Sequence, residues 1–309
     1  MLINIFSGMI SFPKRLSGII LLSGFIFTAF WSPAATLADS PSGKQTPEKE
    51  WTLMVYIAGD NNLEEAVVMD LLEMEQGKND NTEILVFIDR SKGYYQDWQN
   101  WHGARLYRVR KNPALDMAAY YENRVPLPAV SSEMLQDLGE LDSGNPKVAE
   151  EFLKYAAVNF PAKRYAFIAW DHGGGWPVLL QDEGSGSFMS SISFAEALRR
   201  GIKTLPSGKL DLLILDMCLM GQLDALYNFR DIAEYTVASA QIVPGQGMDY
   251  AGFLKHFRPG VSTRKTGEGI VDASIEFYNR IPREATFSLD DMSKAEPLTA
   301  ALKPLTAEL

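Results

Sequence analysis

Two residue types that together perform nucleophilic catalysis each follow a strand-like apolar segment of the chain. Cys218, the only cysteine in the sequence, lies two residues past the segment 210–216, and His172 lies two residues past the segment 164–170. In a parallel sheet, residues just beyond the carboxyl ends of strands share the edge where open α/β sheets build their sites. A thiol and an imidazole at one edge are the minimum equipment for a cysteine nucleophile. The spacing therefore predicts a Cys218–His172 pair.

The residues around this pair favour a functional role over a structural one. Residues 173–175 are all glycine, and glycine lets the backbone approach a ligand closely. The other histidines are less suitably placed, because His102 lies in an aromatic loop and His256 in a helix-like segment with basic neighbours. A lone histidine before a loop is usually structural, and a lone cysteine can be a small buried apolar residue. Their matching positions favour catalysis.

The expected chemistry assigns roles to three further groups. The Cys218 thiolate would attack a carbonyl carbon, and His172 would protonate the leaving group. The backbone N–H groups of Gly173 and Cys218 would stabilise the oxyanion, and one such donor contributes about 2.7–4 kcal/mol. Asp216 would raise the thiol pKa if it faced the sulfur, so it is expected to face a neighbouring specificity pocket or to accept backbone N–H groups. A turn-forming aspartate at a strand end is an equally open interpretation.

The pattern of the rest of the chain predicts the sheet that positions these residues. Apolar strand segments alternate with helical ones, and strands that are apolar on both faces are typical of a mostly parallel sheet covered on both sides. The predicted strands are residues 51–58, 83–89, 164–170, 210–216 and 235–239, with a half-exposed edge strand at 104–110 and a last strand at 285–289. The predicted helices are residues 63–76, 145–159, 194–204, 222–229, 267–280 and 295–308.

Length and charge limit the classes of protein to which the chain can belong. A chain of 309 residues fits one large domain, alone or with a small appendage. The net charge of −10 argues against a nucleic-acid partner, because binding phosphates requires clustered Lys and Arg.

The amino terminus resembles an export signal. Lys14 and Arg15 precede a mostly apolar stretch, and residues 36–38 place small side chains where a signal peptidase cleaves. We expect residues 1–38 to be a signal peptide removed before Asp39, and residues 39–50 to be a flexible leader. The alternative is a retained membrane anchor, since no charge occurs between residues 16 and 38. A free thiol in an exported protein further favours a functional cysteine.

Four blocks of sequence resemble the clostripain family of cysteine peptidases, in the caspase-like clan that includes gingipains, legumain and separases. They are residues 51–62, 171–176, 215–221 and 238–250. The resemblance implies a caspase-like α/β/α sandwich over residues 51–309, a His172–Cys218 dyad, and cleavage after Arg or Lys. Peptides or proteins are then the substrates, and we expect an exported monomer that contacts a membrane only through an uncleaved amino-terminal segment.

The chain departs from the family pattern in the expected pocket for the P1 side chain. Family members carry an acidic residue between two glycines, where this chain has Gln246, so Asp216 alone remains of the expected acidic pair. Replacing a charge-assisted hydrogen bond with a neutral one costs roughly 1–2 kcal/mol. The preference for Arg or Lys is therefore expected to be weakened. An inactive, peptide-binding relative of the peptidases is the alternative function.

Three further expectations concern activation, metal binding and length. Relatives are activated by cleavage after a basic residue between the dyad members, but residues 178–197 contain no Lys or Arg, and the first are Arg199 and Arg200 in a predicted helix. Calcium assists some relatives, and Asp182 and Glu183 are acidic candidates here. We expect no required cofactor and no dedicated metal site. Relatives often extend beyond the last predicted helix, so a carboxyl-terminal portion is expected to be missing or the domain to be compact.

Overall fold

Strands and helices alternate along most of the chain. The structure, a computed structural model, describes residues 49–96, 99–123, 128–281 and 283–307. Its strands are β1 (Lys49–Gly59), β2 (Thr82–Arg90), β3 (Gly103–Arg108), β4 (Glu133–Gly139), β5 (Ala162–Trp170), β6 (Leu179–Asp182), β7 (Ser187–Met189), β8 (Leu210–Asp216), β9 (Ala233–Ala238) and β10 (Ser288–Asp291). Its helices are α1 (Glu64–Gly77), α2 (Met117–Asn123), α3 (Pro146–Asn159), α4 (Ser191–Gly201), α5 (Leu223–Leu226), α6 (Tyr250–Phe253), α7 (Thr263–Arg280) and α8 (Ala295–Ala307).

One large sheet organises the described residues. Its strand order is β10-β9-β8-β5-β1-β2-β3-β4. The five strands from β9 to β2 in this order are parallel, whereas β10, β3 and β4 pair antiparallel at the two ends. Strands β6 and β7 form a separate antiparallel hairpin. The carboxyl ends of β1, β5 and β8 therefore lie side by side, and this edge carries the candidate site.

Helices cover both faces of the sheet because successive side chains of a strand point to opposite faces. In β1, Leu53, Val55 and Ile57 pack in a cluster that includes residues of α1, α6 and α7. The alternate residues, Met54 and Tyr56, pack in a second cluster that includes residues of α3 and α4. Burial on both faces explains why the central strands are continuous apolar runs. The result is a three-layer α/β/α sandwich with a mostly parallel sheet, which confirms the predicted fold class.

The edges of the sheet differ from the prediction. Strand β3 was predicted as the edge strand, but β4 pairs outside it, so the prediction of an edge position was wrong. Strand β4 escaped sequence analysis because its residues are mostly exposed or half-buried, with Leu138 the buried exception, and it has no apolar alternation to detect. The β6–β7 hairpin and α2 were also missed. The last strand, β10, begins three residues later than predicted.

Capping side chains explain where two of the helices begin. Asn145 caps α3, its side-chain oxygen accepting a hydrogen bond from the backbone N–H of Lys147, and Pro146 follows at the first helical position. Helix α4 begins at Ser191, three residues earlier than predicted, because Ser190 and Ser193 form a reciprocal capping box.

The predicted signal peptide or anchor, residues 1–38, lies outside the described residues, as does the leader up to residue 48. In the part of the chain that the structure describes, no helix combines the length and apolar character needed to cross a membrane.

Candidate active site

The register of β5 and β8 brings His172 and Cys218 to one edge of the sheet. The two strands are parallel neighbours, and their last residues, Trp170 and Asp216, are paired. Each candidate follows its strand by two residues, so the chain reaches both at the same level. Both line a single cavity of about 250 Å³. The structure thus places the thiol and the imidazole in one cavity.

The Cys218 thiol is half-buried and contacts the backbone of the loop that follows β9. The N–H of Val243 donates to Sγ at 3.3 Å, and Sγ donates to the carbonyl oxygen of the same residue at 3.7 Å. Among the described residues, Sγ makes no hydrogen bond to His172. Catalytic hydrogen bonds are often long or absent without substrate and form in the bound complex. Leu219, directly after the cysteine, has a φ of 63°, which is strained backbone for a residue with a side chain.

The His172 ring is oriented by Asn62, which lies in the turn between β1 and α1. Nε2 of the imidazole lies 2.7 Å from Oδ1 of Asn62. Because an amide oxygen can only accept, this pairing assigns the proton of the neutral ring to Nε2 and leaves Nδ1 as an acceptor. Burial lowers the pKa of His172, and the negative charge of Glu183 opposes that shift. The imidazole is therefore neutral and can accept a proton at neutral pH.

Asn61 fixes the backbone that carries the histidine. Its buried side-chain amide donates to the backbone oxygens of Ala58 and Gln181 and to a carboxylate oxygen of Asp171 at 2.7 Å. That carboxylate also accepts from the N–H of Gln181. Burial raises the pKa of Asp171 well above its usual range. Neither asparagine is singled out by the sequence patterns above, although the two lie next to each other just after β1, at the same sheet edge as His172.

The predicted oxyanion donors lie close together. A Cβ added at Gly173 would come within 2.4 Å of the carbonyl oxygen of Cys218, so only glycine fits beside that backbone. Within the described residues, the N–H groups of Gly173 and Cys218 donate no hydrogen bond. The antiparallel bridge between Gly173 and Leu179 uses the N–H groups of Gly174 and Leu180 instead. Both N–H groups are thus available to a ligand.

Asp216 is 4% exposed and lines the cavity that holds Cys218. Its Oδ2 accepts hydrogen bonds of 3.1 Å from the N–H of Met248 and from the hydroxyl of Tyr250. Burial raises the pKa of Asp216 to about 6, while these two donors lower it. Asp216 thus lines the cavity and accepts a backbone N–H at the same time, and its role in specificity stays a prediction.

Gln246 directly precedes Gly247 in the sequence and lines a second cavity of about 380 Å³. Its amide oxygen is buried and accepts no hydrogen bond from any described residue. The same cavity is lined by Asp70 of α1, a residue that sequence analysis did not single out. The two cavities share Leu63 and Gly245, so they adjoin at the loop that carries Gln246.

The two acidic residues considered for calcium are held by groups of the protein. Asp182 is buried and accepts hydrogen bonds from the N–H groups of Ser143 and Ser185, and Glu183 accepts one from the hydroxyl of Tyr94. Among the described residues, no group of three or more His, Cys, Asp or Glu side chains is arranged to hold a metal ion. The expectation that the protein requires no cofactor stays a prediction.

The three-layer α/β/α fold thus carries a thiol and an imidazole at the carboxyl edge of adjacent parallel strands. The family model of the clostripain family matches residues 55–309, which is most of the sequence. The chain belongs to the clostripain family of cysteine peptidases.

Individual relatives agree with this assignment. Clostripain of Hathewaya histolytica is 28% identical over 252 residues, a match that covers 72% of this chain and 45% of that protein, so the chain spans less than half of the relative's length. A secreted C11 cysteine protease from Bacteroides thetaiotaomicron, solved with an irreversible peptide inhibitor, has a TM-score of 0.66 and 23% identity over 82% of this chain and 69% of its own. An inactive zymogen C11 protease from Parabacteroides distasonis has a TM-score of 0.64 and 20% identity, covering 85% of this chain and 67% of its own. The two solved structures support the fold.

Proposed function

We propose that the protein is an exported cysteine endopeptidase that hydrolyses peptide bonds through Cys218 and His172. The observation that carries this proposal is the pairing of Trp170 with Asp216, because it delivers the thiol and the imidazole to one cavity. Membership of the clostripain family supports the same reaction class. Peptides or proteins are the proposed substrates.

The reaction begins when the thiol transfers its proton to Nδ1 of His172 and the thiolate attacks the scissile carbonyl carbon. The N–H groups of Gly173 and Cys218 stabilise the resulting oxyanion. The C–N bond then breaks, His172 gives the proton to the departing amine, and a thioester remains on Cys218. His172 next removes a proton from a water molecule that attacks the thioester. The C–S bond breaks, and the proton returns to the thiolate.

Reactivity of the thiol separates this function from that of an inactive, peptide-binding relative. A peptidase directs an electrophile to its sulfur through the peptide attached to it, so Cys218 should react faster with a peptidyl chloromethyl ketone than with iodoacetamide. Mass spectrometry of the modified protein measures both rates on the same residue. Equal rates would favour the inactive, peptide-binding relative. The hydrogen bonds between the thiol of Cys218 and the backbone of Val243 would then explain why the thiol is unreactive.

The proposed P1 preference is for Arg or Lys, weakened by the neutral Gln246. We expect Gln246→Asp to raise the Arg-over-Gln ratio of kcat/KM by about tenfold, or ~1.4 kcal/mol. The glutamine amide offers a neutral oxygen acceptor, whereas the aspartate carboxylate is an acceptor with a negative charge that attracts the guanidinium of Arg. A library of peptides that vary only at P1 measures the ratio in both proteins.

A matched variant controls for the general effect of added charge. Gln241→Asp places a carboxylate at an exposed position five residues earlier that lines neither cavity of the candidate site. It should leave the P1 profile unchanged. Coinciding profiles for wild type and Gln246→Asp would show that position 246 does not contact the P1 side chain.

Activation by self-cleavage has little support in the segment between the dyad members. Arg199 and Arg200, the first basic residues after position 178, lie in α4 and form ion pairs with Asp231 and Glu150. A helical, paired arginine does not present the extended backbone that a peptidase cleft binds. We propose that the protein does not depend on cleavage at this segment.

Export rests on the apolar amino-terminal sequence and on the secreted relative of known structure. We expect the mature chain to begin near Asp39 and to be found outside the cytoplasmic membrane. Mass spectrometry of the natural protein determines its first residue. An intact segment 1–38 recovered with membranes would identify an anchor instead.

A further inference from the structure

Two buried carboxylates from distant parts of the sequence converge beside Gly247. A Cβ placed on this glycine would lie 3.1 Å from Oδ2 of Asp216 and 3.4 Å from Oδ2 of Asp70. Asp216 ends β8, whereas Asp70 lies in α1 on one face of the sheet. The absence of a side chain at Gly247 therefore leaves space beside both carboxylates at the same point of the loop.

Neutral donors hold both carboxylates. The indole N–H of Trp170 donates to Oδ2 of Asp70 at 2.6 Å, as Met248 and Tyr250 donate to Asp216. Among the described residues, no Lys or Arg forms an ion pair with either one, although Asp70 is 1% exposed and Asp216 4% exposed. Burial and the charges of Glu73 and Asp216 raise the pKa of Asp70 well above its usual range. Burial therefore disfavours the ionised form of these carboxyl groups, and a cationic ligand beside them would stabilise it.

A third acceptor lines one of the two adjoining cavities and, unlike the two carboxylates, has no donor. Gln246 lines the same cavity as Asp70, and its buried amide oxygen accepts no hydrogen bond from the described residues. Asp216 lines the adjoining cavity, together with Cys218 and His172. Three acceptors therefore line two adjoining cavities, one of which also holds the nucleophile that the proposed function requires.

We propose that Asp70 is a specificity-determining residue that supplies the second carboxylate for a basic P1 side chain, in place of the acidic residue absent at position 246. This inference rests on the proposed peptidase function. It names the side chain that maintains the preference of the enzyme for a basic P1 residue. A guanidinium is the best ligand for this acceptor set, because it offers five N–H donors in a planar fork, whereas an ammonium is a compact point charge.

The test compares peptides that differ only in Arg or Gln at P1. Asp70→Asn keeps an oxygen to accept the Trp170 N–H and removes the charge, so we expect the Arg-over-Gln ratio of kcat/KM to fall about tenfold or more, with most of the loss in KM for the Arg peptide. Asp70→Ser, which retains a hydroxyl acceptor, replaces this variant if the asparagine protein does not fold. Loss of activity on both peptides in equal proportion would indicate a structural role and overturn the proposal.

Asp89→Asn is the matched control. Asp89 lies on β2, is fully buried like Asp70, and lines neither cavity. The same chemical change should leave the ratio within twofold of wild type. An Asp70→Asn ratio that changes no more than the Asp89→Asn ratio would overturn the proposal.

A binding measurement separates this inference from the peptidase function. In Cys218→Ala protein, calorimetry gives the affinities of two peptides that end in Arg or in Gln at P1. The Arg-over-Gln affinity ratio should fall about tenfold when Asp70→Asn is added. An unchanged ratio would refute the role of Asp70 even if the wild type hydrolyses peptides. A fall in the ratio without hydrolysis by the wild type would refute only the peptidase function.

Discussion

Cys218→Ala is expected to reduce the kcat of peptide hydrolysis by on the order of 10⁴-fold or more. The variant removes the atom that forms the covalent intermediate, and no other cysteine exists to replace it. The fold should be unchanged, because the thiol is half-buried and its hydrogen bonds to described residues are with the backbone of Val243 alone. Hydrolysis of a P1-Arg peptide by the purified variant, alongside a thermal melt, measures both effects.

His172→Ala should cause nearly the same loss, since it removes the group that carries the proton in both half-reactions. His256→Ala is the matched histidine control, because His256 lies in the turn after α6 and lines neither cavity. That variant should retain wild-type turnover. Full activity in either Cys218→Ala or His172→Ala would refute the mechanism proposed above.

Sequence patterns predict the centre of this fold better than its edges. The strands β1, β2, β5, β8 and β9 are buried on both faces, and continuous apolar runs indicate such strands directly. Strand β4 has one buried residue in seven, and its sequence therefore lacks the apolar pattern of a buried strand. Its antiparallel pairing with β3 holds it in the sheet instead. Nothing in the residues of β3 themselves indicates that a further strand lies outside it.

The same contrast holds for the site. His172 and Cys218 could be located because each follows its own strand by two residues, and parallel strands end at one edge. The partners of these residues depend on contacts between distant segments. Asn62 and His172 are 110 residues apart, and Asp70 and Trp170 are 100 apart. Asp70 resembles any acidic residue of a surface helix until the structure shows that its face of α1 is buried against the cavity wall.

Asn62 is the residue whose loss we expect to reduce turnover most after the dyad itself. Without the hydrogen bond to Nε2, the imidazole is free to rotate and to exchange tautomers, and Nδ1 is no longer held ready to accept the thiol proton. We expect Asn62→Ala to reduce kcat by roughly 10–100-fold with little change in KM, since general-base contributions are about 10²–10⁴-fold and the base itself remains. Steady-state kinetics on a P1-Arg peptide measure both constants.

The pH profile distinguishes orientation of the ring from a merely structural role. Asn62→Asp keeps an oxygen acceptor beside Nε2 and adds a negative charge, which favours the imidazolium and raises the pKa of His172. The limb of the kcat/KM profile that reports the histidine should therefore move to higher pH, and more activity should remain than in Asn62→Ala. Asn159→Ala serves as the matched control, because Asn159 ends α3 at the opposite edge of the sheet and donates to the carbonyl oxygen of Tyr155. If Asn62→Ala behaves like this control, or if the aspartate variant leaves the profile in place, then the 2.7 Å contact does not position the catalytic base.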